Sequence, residues 1–143
     1  MSAERTFLDT NVLVYVFDHD EPAKAQRAKD LLERAKPDEL ALSAQVLSEF
    51  YVTVTRKLKR PLDAAVAAQA VDWLCLLKVV SLDSALVRAA IQISGSSQLS
   101  YWDGLIVASA AAGGCGRLLS EDLSDGQVIG SVRVENPFRE HAG

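Results

Sequence analysis

The chain has 143 residues, of which 49% are hydrophobic and 24% are charged. This balance is typical of a folded globular protein and excludes a disordered chain. The length fits a single domain spanning residues 1–143, and a domain of this size buries about two-thirds of its unfolded surface. The formal net charge of −4 argues against the broad basic surface of proteins that coat nucleic acid, but it allows an enzyme that contacts nucleic acid at one site.

The cysteines and the N-terminal sequence indicate a cytoplasmic protein. Cys75 and Cys115 have neither C-x-x-C spacing nor histidines at zinc-ligand offsets. We expect both to be structural free thiols that pack as small hydrophobic groups, which suits a reducing compartment. The segment Met1–Arg5 lacks an apolar signal core, and the most apolar run, Leu105–Ala112, is too short to cross a bilayer. We therefore expect no membrane association.

In the first half of the chain, short apolar runs alternate with helical patterns. Proline in a first turn marks two helix starts, and Ser43 is a suitable N-cap for another helix. In chain order, we predict strand Thr6–Leu8, helix Asn11–Phe17, a helix from Glu21 to about Ala35, strand Leu40–Leu42, helix Gln45–Leu58 and a helix from Pro61 to Leu77.

The second half continues this alternation. We predict strand Val79–Val80, a helix capped by Asp83 and terminated by Gly95, helix Ser100–Ala112, strand Leu118–Leu119 and strand Val132–Val134. The Ser100–Ala112 helix is apolar on all sides, which predicts a central buried helix. The sequence thus predicts a three-layer α/β/α fold of the α/β class, with a short, mostly parallel sheet of about five strands flanked by helices.

Four acidic residues are expected to meet at one edge of this sheet. Asp9 directly follows the first strand, and Asp122 follows the Leu118–Leu119 strand after two residues. Glu49 and Asp103 lie near the starts of two helices. Ligands of such sheets bind at the carboxyl ends of the strands, so the four acids would converge there. Carboxylates this close disfavour each other's ionisation unless a cation is present, and Mg²⁺ takes carboxylates while retaining several waters.

Three of these acids also have a purely structural interpretation. Asp9, followed by threonine and asparagine, suits a turn or a helix cap. Asp103 lies three residues after Ser100, as in a capping box. Glu49 borders the apolar face of its helix, and a glutamate there could equally belong to a solvated face.

The fourth acid lies in an acidic turn segment. Asp122 is accompanied by Glu121 and Asp125 within the run Ser120–Gly126. Each of these acids is also a suitable turn residue. Whether Glu121 or Asp125 contributes to a metal site is left open by the sequence.

The four acids lie in short motifs that together resemble those of PIN-domain nucleases. The motifs are Leu8-Asp9-Thr10-Asn11, Ser48-Glu49-Phe50, Tyr101-Trp102-Asp103 and Leu119-Ser120-Glu121-Asp122. In order, spacing and length, the chain is most similar to the VapC toxins of bacterial toxin–antitoxin pairs. The resemblance extends to the Asn136-Pro137-Phe138 ending.

This resemblance implies a PIN-like fold and a Mg²⁺-dependent endoribonuclease, with Mn²⁺ as a possible substitute. It implies that the toxin cleaves RNA and is neutralised by a cognate VapB-like antitoxin. Homodimer formation is also implied. Apolar side chains at Trp73, Leu74, Leu76 and Leu77 exceed what one helix face needs to bury, which supports such partners. The alternative is a catalytically silent PIN domain that binds RNA or a protein partner.

The resemblance also assigns roles to individual residues. The catalytic and metal-binding acids would be Asp9, Glu49, Asp103 and Asp122. The residues that support them by hydrogen bonding would be Thr10, Asn11 and Ser120. Ser120 departs from the family, which often has threonine there, but it keeps the hydroxyl group.

A basic segment follows the helix that carries Glu49. Its cations are Arg56, Lys57, Lys59 and Arg60. Cations at a helix C-terminus interact favourably with the helix dipole, which is sufficient structural reason for them. They could equally form an RNA-binding rim that contacts phosphates without reading sequence. The two interpretations are compatible.

A phospho-acceptor receiver domain is a rival of a different class, because it is also a small α/β fold with clustered acids. Such a domain needs adjacent acids at the end of the first strand and a lysine late in the chain. Here Asp9 has no acidic neighbour, and no lysine follows Lys78. The sequence therefore argues against a receiver domain.

Overall fold

A six-stranded sheet lies at the centre of this computed structural model, which describes residues 4–139. Most of the Met1–Arg5 segment discussed above lies outside the described residues. The strands are β1 (Arg5–Leu8), β2 (Leu40–Ser43), β3 (Lys78–Val80), β4 (Cys115–Leu119), β5 (Val128–Ile129) and β6 (Val132–Glu135). They are arranged in the order β3-β2-β1-β4-β6-β5, and neighbours are parallel except β5 and β6. The predicted α/β class is confirmed.

Helices flank this sheet and bury its apolar side chains. Their bounds are α1 (Thr10–Tyr15), α2 (Pro22–Arg34), α3 (Ala44–Arg56), α4 (Ala64–Leu74), α5 (Ser84–Ser97) and α6 (Tyr101–Ala112), with a 3₁₀ turn at Pro37–Glu39. Helix α6 is buried from Gly104 to Ala110, as its uniform apolar sequence predicts. No helix within residues 4–139 is both long and apolar enough to span a membrane.

The ends of two helices differ from the prediction. Gly95 does not terminate α5, which continues to Ser97 and ends where Gln98 adopts a left-handed φ of 55°. Helix α4 begins at Ala64 instead of Pro61, because the amide of Leu62 is bonded to the carbonyl of Val54 and ties this segment to α3.

Two further expectations are corrected at the end of α4 and in the sheet. Cys75 is exposed, because α4 ends at this position. Its neighbours Leu74 and Leu77, which are 3% and 7% exposed, reach the core instead. Cys115 is buried as expected, and burial raises the pKa of its thiol to about 11. The sheet has a sixth strand, Val128–Ile129, which is too short to give an apolar pattern and pairs with β6 across a turn at Gly130.

Helices α5 and α6 pack closely at Gly104. A Cβ atom added there would lie 2.8 Å from the carbonyl oxygen of Ala90 and 3.1 Å from the Cβ of Ser94. Glycine at this position therefore allows the approach of two helix backbones. The contact holds α6, whose N-terminus carries Asp103, against α5.

We predict that Gly104→Ala destabilises the protein by about 1–3 kcal/mol, the usual cost of overpacking a close contact. Gly95→Ala is the matched control, because a Cβ at Gly95 meets nothing within 4 Å. Alanine should stabilise that helix position by up to about 1 kcal/mol or leave it unchanged. Urea unfolding of both variants measures the difference, and equal stabilities would contradict the close packing.

Candidate active site

Asp9 lies at the carboxyl end of β1, where it caps helix α1. Its amide donates to the carbonyl of Leu119 at 3.1 Å, which continues the pairing between β1 and β4. Its Oδ1 accepts from the amide of Thr10 at 2.7 Å, so the carboxylate is the N-cap of α1. The capping interpretation is correct, and it places the carboxylate at the sheet edge that the sequence predicts for the site.

Ser120 binds the other oxygen of this carboxylate. Its hydroxyl donates to Asp9 Oδ2 at 2.8 Å, and both side chains are buried, with Asp9 6% exposed and Ser120 fully buried. The Ser120 Oγ also accepts from the amides of Asp122 and Leu123, at 3.2 and 3.3 Å. One hydroxyl thus connects Asp9 to the backbone that carries Asp122.

Asn11 bridges two of the predicted acids. Its Nδ2 donates to Asp122 Oδ2 at 3.2 Å and to Asp9 Oδ2 at 3.4 Å, and it lies 3.5 Å from the Oγ of Ser120. Its Oδ1 accepts from the amide of Glu121 at 3.1 Å. The partners define the orientation of the amide, since carboxylates accept and the backbone amide donates.

Glu49 joins the same group through Thr10. The Thr10 hydroxyl donates to Glu49 Oε2 at 2.8 Å, and Gln45 donates to Glu49 Oε1 at 3.0 Å. Glu49 is exposed in the second turn of α3, whose other face buries apolar residues in the core. Glu49 and Asp122 both line an open cleft of about 660 Å³, together with Thr10 and Asn11.

Asp103 is not part of the hydrogen-bond network that joins these acids in the described residues. It is half-buried, and its amide donates to the Ser100 hydroxyl at 3.1 Å, which is half of the predicted capping box. In the described part of the chain, no hydrogen bond links its carboxylate to the other three acids. Nor does any set of three or more His, Cys, Asp or Glu side chains in residues 4–139 have an arrangement that could hold a metal ion.

The two surplus acids have structural partners. Glu121 accepts from Tyr15 and from Lys24, whose Nζ lies 2.7 Å from its Oε2. Burial raises the pKa of Glu121, but the hydrogen bonds from Lys24 and Tyr15 outweigh it, so that the pKa is lowered overall. Asp125 accepts from the amide of Asn136 and pairs with Arg139 at 2.9 Å, so it contacts the C-terminal segment.

Tyr15 and Lys24 are functional candidates that sequence reasoning missed. Both lie beside the acidic turn, and Tyr15 and Glu121 line the cleft. The Lys24 Nζ lies 4.9 Å from the centroid of the Tyr15 ring. The sequence carries no motif that links a lysine in the first turn of α2 to an acid after β4, so only the fold reveals this pair.

The basic segment contributes one residue to the cleft. Lys57, the C-cap of α3, lines the cleft with Glu49 and Asp122. The other cations of the segment are exposed, and Arg60 lies 4.0 Å from Asp20. The position of Lys57 fits both the helix-dipole interpretation and a phosphate-contacting rim.

The pKa of Asp9 reports the electrostatic cost of the site. Its surroundings together raise it from 3.8 to about 6: burial is the largest cause, the bonds from Ser120 and Thr10 lower the pKa, and the charges of Asp122 and Glu49 raise it. The sequence predicts a raised pKa through repulsion between acids; the structure shows that burial is the larger cause.

The donor chemistry of the site suits a hard divalent cation. Its charged groups are carboxylates and its neutral groups are amide and hydroxyl oxygens, which favour Mg²⁺ or Mn²⁺ over zinc. Asp9 is held between hydrogen-bond donors, and Asp122 and Glu49 raise its pKa. A bound cation would lower that pKa and keep the Asp9 carboxylate ionised. Mg²⁺ needs only one or two protein carboxylates when waters and phosphate complete its shell.

Comparison with known proteins yields a family and several structural neighbours. The family model described as PIN domain matches residues 6–124, whereas no curated protein matches the chain. The structure is similar to a toxin–antitoxin complex from Klebsiella pneumoniae (TM-score 0.71, 18% identity, 94% of this chain and 99% of that chain). It is also similar to VapC20 from Mycobacterium tuberculosis, a toxin that cleaves the sarcin-ricin loop (TM-score 0.64, 22% identity, 79% and 86%). A third neighbour is VapBC2 from Rickettsia felis bound to promoter DNA (TM-score 0.61, 19% identity, 92% and 97%).

We predict that the metal-free chain loses stability as pH rises from about 4 to about 6. Over this range the unfolded chain releases the Asp9 proton while the folded chain still holds it, so the free energy of unfolding falls. The loss is up to about 3 kcal/mol for a shift of this size. Asp9→Asn should lack this component, and chemical unfolding in EDTA at several pH values measures the difference. Identical pH profiles for both proteins would contradict it.

Proposed function

We propose that this chain is a divalent-metal-dependent endoribonuclease of the VapC toxin type. The basis is that the chain belongs to the PIN-domain family. The observation that carries this proposal is the connection of Asp9, Glu49 and Asp122 through the side chains of Thr10, Asn11 and Ser120. These are six of the seven residues that the family resemblance assigns to the site. They meet at the carboxyl ends of β1 and β4, where α/β sheets bind ligands.

Asp9 and Asp122 would hold Mg²⁺, or Mn²⁺ in its place, and Glu49 lines the same cleft. When bound, the ion would act as a Lewis acid on a phosphodiester and lower the pKa of a bound water. Asn11 holds the Asp9 and Asp122 carboxylates relative to each other, and Thr10 orients Glu49. Lys57 would attract the phosphates that the acidic cleft otherwise repels. We assign Asp103 as a fourth acid on the family resemblance.

We further propose a VapB-like antitoxin and a second copy of the chain as partners. The structural neighbours include toxin–antitoxin complexes. Trp73 and Leu76 are 51% and 76% exposed, and an apolar cavity of about 300 Å³ lies beside Trp73. An antitoxin arginine placed against the acids would suit bidentate carboxylate pairing. The chain would act in the cytoplasm as one domain.

The second candidate is a catalytically silent PIN domain that binds RNA or a protein. The observation that favours it is that, among residues 4–139, no three His, Cys, Asp or Glu side chains are arranged around one metal position and Asp103 has no hydrogen bond to the network of the other acids. Binding without cleavage would be its signature.

We predict that the purified chain cleaves single-stranded RNA when Mg²⁺ or Mn²⁺ is present and that cleavage stops when EDTA is added. Asp122→Asn and Asp103→Asn should each lower the rate at least about 100-fold, since loss of a ligand exceeds the 10–100-fold cost of losing a supporting hydrogen bond. Asp125→Asn is the control, because Asp125 contacts the C-terminal segment and should leave the rate unchanged. Gel-resolved cleavage of a labelled RNA measures all three.

Different failures of this assay have different meanings. Undiminished cleavage in EDTA would refute the metal mechanism. RNA binding without cleavage under every metal condition would favour the silent PIN domain. Normal cleavage by Asp103→Asn alone would remove Asp103 from the site and leave the other acids in place.

A further inference from the structure

An apolar depression of about 440 Å³ adjoins the acidic cleft on the side of α6. Its lining residues are Gln45, Ser48, Glu49, Leu82, Trp102 and Leu105. Ser48 and Glu49 line the acidic cleft as well. A ligand in the depression therefore lies next to whatever occupies the cleft.

The indole of Trp102 forms one wall of this depression. It is 62% exposed, and Leu82 is 50% exposed, whereas Leu105 is fully buried. The Tyr101 ring meets the Trp102 ring edge-on, with centroids 5.1 Å apart and planes at 76°. The exposed face of this ring beside a polar cleft is available for stacking against a ligand.

Gln45 supplies an acceptor without a partner at the same place. Its Nε2 donates to Glu49 Oε1 at 3.0 Å, which fixes the orientation of the amide because a carboxylate only accepts. Its Oε1 is buried and finds no hydrogen-bond partner within residues 4–139. A buried acceptor left unpaired costs free energy, so a rotation of the Gln45 side chain that exposed this oxygen in the depression would allow it to accept from an N–H group of a ligand.

We propose that this depression is a base-binding subsite, in which Trp102 stacks on an unpaired nucleobase of the RNA. The proposal rests on the proposed function of the adjoining cleft. A nucleobase offers the flat face that the exposed indole stacks against, and its N–H groups are suitable donors for the Gln45 amide oxygen once that side chain rotates toward the depression. The shared wall of Ser48 and Glu49 would place that base beside the phosphodiester at the acids.

The test measures RNA affinity in the full-length Asp9→Asn chain, which should bind without cleaving. The probe is a fluorescein-labelled single-stranded oligoribonucleotide of mixed sequence, followed by fluorescence anisotropy. Trp102→Ala should weaken binding about ten-fold, the loss expected for one base stack, while Trp102→Tyr should stay within about three-fold. Trp102→Leu keeps an apolar side chain without a ring and should lose as much as alanine.

Trp73→Ala is the matched control. Trp73 is the chain's other tryptophan, is 51% exposed, and lines a different cavity. Trp73 belongs to the proposed partner surface and lines neither the cleft nor the depression, so its loss should leave RNA affinity per chain unchanged. An abasic oligomer of the same length should bind the Trp102 variants and the parent equally, because it offers the backbone alone. RNA should also quench the fluorescence of Trp73→Phe, which retains Trp102, and not that of Trp102→Phe.

Three results would overturn the subsite. Equal RNA affinity of Trp102→Ala and Trp73→Ala would show that no base stacks on Trp102. A shift from dimer to monomer in sedimentation for Trp102→Ala, with RNA affinity per chain unchanged, would assign the depression to self-association. Failure of the parent Asp9→Asn chain to bind RNA, together with no cleavage by the wild type, would remove the proposed function and the subsite with it.

Discussion

The carboxylate of Asp9 lies at the junction of β1, β4 and α1, and Asp9 is only 6% exposed. The Thr10 backbone amide, the Ser120 hydroxyl and the Asn11 side-chain amide all donate hydrogen bonds to this carboxylate. Burying a charged carboxylate costs several kcal/mol unless such donors compensate for the lost water. Here they compensate only in part, because burial still raises the pKa of Asp9 to about 6. The folded chain thus holds an acid that gains most from a nearby positive charge.

The other parts of the site depend on this arrangement. Ser120 can reach Asp9 only because β1 and β4 pair in parallel up to Leu8 and Leu119, and the same hydroxyl organises the turn that carries Asp122. Asn11 then connects Asp122 to Asp9. In the same turn, Lys24 and Tyr15 bind Glu121, whereas Asp122 is exposed. The β1–β4 pairing therefore positions the site from residues more than a hundred positions apart in sequence.

Local patterns in the sequence predict the parts of the fold that local physics determines. The strand before Asp9, the Ser43 cap of α3 and the buried α6 follow from apolar runs and cap residues. The start of α4 and the end of α5 could not be predicted, because a tertiary bond at Leu62 and a left-handed residue at Gln98 determine them. Strand β5 has only two residues, which is too short to give an apolar pattern. In the candidate site, order along the chain proposes the acids but cannot show which of them share hydrogen bonds or that Lys24 pairs with Glu121.

Direct titration of the metal-free chain with Mn²⁺, followed by the loss of the free-ion EPR signal, tests whether the carboxylates around Asp9 bind a divalent cation. The wild-type chain should bind Mn²⁺, and Mg²⁺ should compete for the same site. Asp9→Asn should weaken Mn²⁺ binding at least about ten-fold, since even the loss of a residue that only supports a metal ligand costs about 10–100-fold. Asp125→Asn, which removes an equal charge at the C-terminal segment, should bind as wild type does. Equal Mn²⁺ affinity of wild type and Asp9→Asn, or no binding by wild type, would show that the carboxylates around Asp9 do not form a metal site.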